Sequence, residues 1–389
     1  MASLRSFALF LGVLQAAVVA APAKQVIPGK YVITLKGGIS ARDVESHLGW
    51  VRDAHKRSLG SRGVKGVEKT FHIKDFNAYV LEIEEDQIWT LFDAPAAHTE
   101  NKRALATQED AIWGLAAISH RTPGRSQYIY DDSAGAGTYA YVIDSGVRVS
   151  HDEFGGRASM GFVALPGVDD ADNFGHGTHV AGTVAGTTVG VAKRANVIGI
   201  KAFEPNAVST KMTDVLHAFN WAVDNVVSND RQDKAVIVMS LAGGGISSTF
   251  NDAVNSAFEA GILSVVAAGN TYKDAGLHSP ASAAAAITVG ATTSHWNRAW
   301  FSSYGPVVDV FAPGAAIRSA SHPSDSAYST ESGTSMACPH VAGVALYLKA
   351  LEGGDAAAIT DRILELATPD AIGDTKGSPN LHLYNGNGA

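Results

Sequence analysis

Ser332-Gly333-Thr334-Ser335-Met336-Ala337-Cys338-Pro339 sets a serine among small residues, immediately ahead of an apolar helical run. The first turn of a helix leaves backbone N–H groups without partners, so a hydroxyl there sits beside donors for a developing anion. That is one way for a chain to expose a nucleophile. Two upstream segments complete the pattern. Tyr141-Val142-Ile143-Asp144-Ser145-Gly146 puts one acid at the end of an apolar strand. Gly175-His176-Gly177-Thr178-His179-Val180 puts a histidine at the mouth of a small-residue helix. A serine hydroxyl attacks poorly near neutral pH unless a base takes its proton. A histidine can be that base, and an acid beside it would fix its tautomer. Taken singly, each piece is a common cap or loop. In this order, each in its own local setting, they argue together.

Around these segments the chain alternates. Residues 138–143, 197–202, 235–241, 261–268 and 286–289 are short apolar runs bounded by Gly, Asn and Ser, as strands buried on both faces should be. Helical stretches fall between them, at 176–185, 212–227 and 250–260. The alternation predicts an α/β fold over residues 104–389, a mostly parallel central sheet flanked by helices. Residues 21–103 read as a separate small α+β unit. It has a strand at 30–35 and a helix at 44–56 behind the cap pattern Ser40/Asp43. Strands at 67–73 and 78–83 follow around a turn at 74–77, then a short helix at 86–92. His98-Thr99-Glu100-Asn101-Lys102-Arg103 is polar and charged, as a cleavable linker should be. Residues 1–20 carry Arg5, an apolar run and a small-residue exit, the layout of an export signal cut after Ala20 or Ala21. A membrane span needs about 20 apolar residues, more than that run offers.

Charge divides unevenly. Residues 1–103 hold 14 Lys and Arg against 11 Asp and Glu, and residues 104–389 hold 16 against 27. The opposite signs favour association of the two parts, and the acidic part would not seek nucleic acid. The lone Cys338 rules out an internal disulfide, which a chain of this size does not need. It reads as a small buried helix residue rather than a thiol nucleophile. His179 and His340 read as packing residues. A metal site on His176 and His179 would lack the His-Glu-X-X-His frame.

Asp, His and Ser in that order is the order of the subtilisin family. The chain resembles subtilisin-like serine endopeptidases of the proteinase K group, and within it the fungal secreted alkaline proteases. The resemblance covers nearly all of residues 111–385, including Trp113-Gly114-Leu115. It implies that Ser335 is the nucleophile, His176 the general base and then acid, and Asp144 the orienting acid. Asn270, in Ala267-Ala268-Gly269-Asn270, matches the family's oxyanion donor. Residues 21–103 would be a ferredoxin-like inhibitory propeptide that aids folding and docks its tail across the site until cut off. The boundary falls at Arg103/Ala104, with self-cleavage after Asn101 and a basic-site processing protease both open.

Protein and peptide substrates would pair through backbone with Ser240, Leu241, Ala242 and Gly243 as an added strand. Ala267, Ala268 and Gly269 would form the other wall of the first pocket. Ala242 stands where relatives carry Gly, and the glycine run after it is one residue longer. Neither wall is charged, so cleavage after large apolar or aromatic residues is expected. Ser279-Pro280 matches a proline turn where a cis bond is admissible. Proteinase K-like enzymes bind calcium near there through an Asp shortly after the Val-Gly-Ala strand. Here Thr292-Thr293 follows Val289-Gly290-Ala291, so no such ligand is expected, and a weaker site from other oxygens stays open. No cofactor is expected to be required. Activity should climb as the histidine loses its proton, around pH 6.5–7. The expected product is a secreted monomer with no membrane or nucleic-acid partner. The alternative is a catalytically silent binding protein on the same fold. A substituted triad member would favour it, and none is substituted.

Overall fold

The computed structural model describes residues 105–387, together with four strands and residues 44, 45, 47 and 48 of the N-terminal unit. Those strands are β1 Val26–Leu35, β2 Thr70–Ile73, β3 Phe76–Val80 and β4 Glu84–Leu91. They form an antiparallel sheet in the order β4-β1-β3-β2. Val44 and Leu48 are buried in helical conformation, inside the helix expected from 44. The rest of that helix, the export signal at 1–20 and the linker at 98–103 lie outside the described residues.

Two expectations for this unit need correction. The strand expected at 78–83 starts at Phe76, because Ile73 pairs directly with Phe76 and the turn is tighter than 74–77. The stretch expected as a helix at 86–92 is β4. Its acidic start mimics a helix cap, but Ile88-Trp89-Thr90-Leu91 favours extended backbone, and distant strands take it up. Its first half pairs with β1, with Val26 opposite Gln87 and Val32 opposite Glu84.

In the larger unit, β5 Ala106–Gln108 pairs with β6 Tyr128–Tyr130 around the short helix α1, Trp113–Ala117. The central sheet then begins with β7 Tyr139–Asp144, β8 Ala158–Val163 and β9 Asn196–Lys201. The small strand β10 Ser209–Lys211 stands outside it. Next come β11 Ala235–Met239, the three-residue β12 Leu241–Gly243, β13 Leu263–Ala267, β14 Ile287–Thr292 and β15 Val310–Pro313. A hairpin of β16 Ile317–Ala320 and β17 Tyr328–Glu331 follows, and β18 Thr368–Pro369 and β19 Leu381–His382 close the chain. The sheet order is β18-β19-β15-β14-β13-β11-β7-β9-β8. It is parallel throughout except where β18 meets β19.

Alternation along the strands divides the core. Ala140 and Val142 join one apolar cluster with α2 (His176–Ala185) and α5 (Thr334–Leu351). Tyr141 and Ile143 join another with α3 (Met212–Ser228) and α4 (Ser248–Glu259). Covering both faces this way is what continuous apolar strands require. A last helix, α6 Ala356–Leu366, packs on α5. Among the described residues no helix is long and apolar enough to cross a membrane.

One buried acid anchors the β17 side. Glu153 accepts hydrogen bonds from the backbone N–H groups of Thr188 (2.7 Å) and Val189 (3.3 Å), from the Thr188 hydroxyl, and from Tyr328 (2.7 Å). Burial alone would raise its carboxyl, but these donors hold it below the ordinary 4.5. Its contribution is therefore present above pH ~4.5 and is lost as pH falls through the lower folded value. Glu153→Gln should cost about 1–3 kcal/mol at pH 7. Thermal unfolding at both pH values should show that gap shrinking toward pH ~3.5.

Candidate active site

Three chain segments converge where the parallel strands end, the edge at which α/β sheets form crevices. Asp144 closes β7 and is fully buried. His176 opens α2, and its Nδ1 lies 2.9 Å from Asp144 Oδ1 and 3.0 Å from Oδ2. Both side chains are inaccessible to solvent. Asp144 Oδ1 also accepts from Ser145 N at 2.7 Å, which fixes the carboxylate's plane. Gly177 makes the approach possible, since a Cβ there would fall 2.1 Å from the Gly146 carbonyl and 3.0 Å from Asp144 Cβ.

Asp172 ties α2 to β7, and sequence reading missed it. Its Oδ1 accepts from Ser145 Oγ at 2.8 Å and Gly175 N at 2.8 Å, and its Oδ2 accepts from Thr178 N at 3.0 Å. A carboxylate at the helix N-terminus takes up orphan N–H groups and faces the positive end of the dipole. The signal was there: an Asp just ahead of Gly175-His176-Gly177 is a cap pattern. Lys201 braces the same loop from β9, donating to the Ala171 carbonyl and to Asn173 Oδ1 at 2.7 Å. Burial lowers its ammonium pKa, and Asp169 and Asp172 partly oppose that.

Ser335 is the second residue of α5 and is fully buried. Its Oγ donates to the Ser240 carbonyl at 3.1 Å, and Ser240 Oγ donates back to the Ser335 carbonyl at 2.9 Å. The second bond follows from Pro339. Four residues on in the helix, Pro339 has no N–H for the Ser335 carbonyl, and Ser240 supplies the donor instead. The serine is thereby pinned to the end of β11. The helices α2 and α5 pack together, and β7 and β11, whose ends carry Asp144 and Ser240, are neighbours in the sheet.

Asn270 follows β13. Its Oδ1 accepts from Thr334 N at 2.8 Å and from Thr334 Oγ1 at 2.9 Å. With the oxygen committed to α5, the amide NH₂ must face away from it. Asn270 Nδ2 is buried and has no hydrogen-bond partner among the described residues. A buried donor without a partner, beside the first turn of a helix, fits an anion that arrives only during reaction.

The expected substrate residues stand on or just after two strands in contact, β12 and β13. Leu241, Ala242 and Gly243 form β12, separate from β11, so the run expected to continue to 241 breaks at Ser240. Ala267, Ala268 and Gly269 stand at the end of β13, with Gly269 at φ 102°, a conformation that favours glycine. The edges of β10 and β12 are paired by the chain itself. The second half of β4 lies between β10 and β12, antiparallel to both: Thr90 is opposite Ser209 and Ala242, and Leu91 is opposite Leu241. The Ser279–Pro280 bond is cis, as the turn allowed.

Other singled-out residues are spectators. Cys338 is buried with Sγ 3.4 Å from the Val265 carbonyl, and burial pushes its thiol up to about 12. His340 holds the Met336 carbonyl at 2.8 Å, and burial drops its pKa to about 4. His179 reaches the Ile317 carbonyl at 3.0 Å.

Residues 135–388 match the model of the subtilase family, and residues 30–96 match that of the peptidase inhibitor I9. An alkaline proteinase of Hapsidospora chrysogena is 52% identical over 410 residues, covering 100% of both chains. Alkaline protease 1 of Aspergillus clavatus is 50% identical, covering 99% of this chain and 100% of its own. A solved cold adapted subtilisin-like serine proteinase superposes with a TM-score of 0.67 at 40% identity, covering 71% of this chain and 99% of that one.

Proposed function

The chain belongs to the subtilase family, and from that premise we propose that it is a secreted serine endopeptidase made as a self-inhibited precursor. The observation that carries the reading is the buried Asp144–His176 pair at the end of β7, with Ser335 bonded to Ser240 past the end of the neighbouring strand β11 and β4 paired with β12 as a substrate strand would be. His176 takes the Ser335 proton as Oγ attacks the peptide carbonyl, and later gives it to the departing amine. Asp144 holds the imidazole tautomer and offsets its positive charge. The oxyanion lies between Asn270 Nδ2 and the Ser335 N–H. Substrates bind by adding a strand between β10 and β12, where β4 sits in the precursor. Processing near Arg103/Ala104 frees residues 104–389 as a monomer.

Water, activated by His176, then releases the acyl group from Ser335, so the reaction uses these side chains, one backbone donor and water, with no cofactor. Where the family's calcium-binding acid would stand, the Thr292 hydroxyl meets His382 Nε2 at 3.3 Å and Thr293 meets the Asn297 carbonyl.

The pocket walls Ala242, Gly243, Ala267, Ala268 and Gly269 carry no charge. Large apolar or aromatic residues before the cut should therefore exceed Lys or Arg there by at least about tenfold in kcat/KM, since an unpaired charge would lose its water. A peptide library read by mass spectrometry checks this. A profile dominated by Lys or Arg before the cut would overturn the pocket assignment.

A further inference from the structure

The leaving-group side of the site carries an acid. On the acyl side, β4 runs toward Ser335: Leu91 is opposite Leu241, and Ser240, the residue before Leu241, is bonded to Ser335. A peptide in this register keeps its acyl half between β10 and β12. Whatever follows the cut bond must leave past Ser335 on the other side.

The β16–β17 hairpin packs through β16 against α2, the helix that carries His176. Its last residue, Glu331, stands four positions before Ser335 and pairs with Ile317. The Ile317 carbonyl is in turn held by His179, three residues along α2 from His176. The hairpin end is thus tied to the helix that carries the base. Glu331 is half-buried, and its Oε1 accepts from Ser329 Oγ at 2.6 Å. Burial alone would raise its carboxyl, but His179, the Ser329 hydroxyl and His176 hold it below the ordinary value, while Asp172 opposes them. The Asp172 oxygens are already engaged by Ser145, Gly175 and Thr178. Glu331 is therefore an ionised acid four residues before Ser335, on a hairpin tied to the helix that carries His176.

Resting on the endopeptidase reading, we propose that Glu331 makes this side of the site select a cationic side chain, Lys or Arg, on the residue immediately after the cut bond. A carboxylate at a partly exposed rim attracts a cation, repels an anion, and is weakened by salt.

The test uses the processed enzyme and quenched peptides that share one apolar acyl side and differ only after the bond, with Lys, Leu or Glu. Mass spectrometry confirms the cut position. At low salt the wild-type ratio of kcat/KM for Lys over Glu should be about tenfold, shrinking several-fold at about 0.5 M salt. Glu331→Gln should bring the ratio near one, Glu331→Lys should invert it, and Glu331→Asp should keep it above one. Each ratio is taken within one enzyme, so a general loss of activity cancels. If the variants fail to fold, a wild-type ratio near one would still overturn the proposal. A wild-type ratio near one, or a ratio unchanged by Glu331→Gln, would overturn the proposal while leaving cleavage of the Leu peptide intact. Failure to cut any of the three peptides would instead remove the endopeptidase reading, and this proposal with it.

Discussion

Ser335→Ala should lower kcat by about 10⁶-fold with little change in KM, a magnitude carried over from subtilisin rather than obtained from this geometry. The geometry supplies the reason the loss should be so complete. Ser335 is pinned to Ser240 and presented at the start of α5. The one nearby thiol, Cys338, is buried with its proton held to about 12, so it cannot substitute. His176→Ala should cost about as much, and the double variant little more, because nucleophile and base act as one unit. Initial rates on a quenched peptide measure this. A unique site inserted ahead of Leu105 would let an unrelated protease release the propeptide from every variant. Additive losses would mean that the two residues do not work together.

Asn270→Ala is expected to lower kcat by about 10²–10³-fold, again on the scale known for subtilisin, with KM nearly unchanged. The ground-state carbonyl does not need this donor, but the tetrahedral oxyanion does. The split follows from the orientation of the amide. Thr334 holds the oxygen, so the NH₂ is preset and needs no reorganisation during reaction. Steady-state kinetics on one peptide separate the two parameters. A rise in KM at constant kcat would make Asn270 a binding residue instead.

The parallel sheet was legible because its strands are buried on both faces and therefore uniformly apolar. Tyr139–Asp144 and Leu263–Ala267 fall within a residue or two of the runs that predicted them. Asp144, His176, Ser335 and Asn270 stand out as candidates in the sequence because each sits at an abrupt change from apolar strand to small-residue turn or helix. β4 was not. Its extended form comes from pairing with β10 and β12, more than a hundred residues away, and such pairing leaves no local periodicity. Asp172 and Glu331 escaped for a related reason. An acid in a loop or at a strand end is ordinary until the structure shows what it faces.

The most direct test of the central claim is the intact mass of the secreted protein after treatment with a serine-directed sulfonyl fluoride, with Ser335→Ala in parallel. The account predicts one adduct per chain on a protein beginning near Ala104, complete loss of casein cleavage, and no adduct on the variant. An unmodified wild-type chain that begins near Ala104 and still cleaves casein would contradict it.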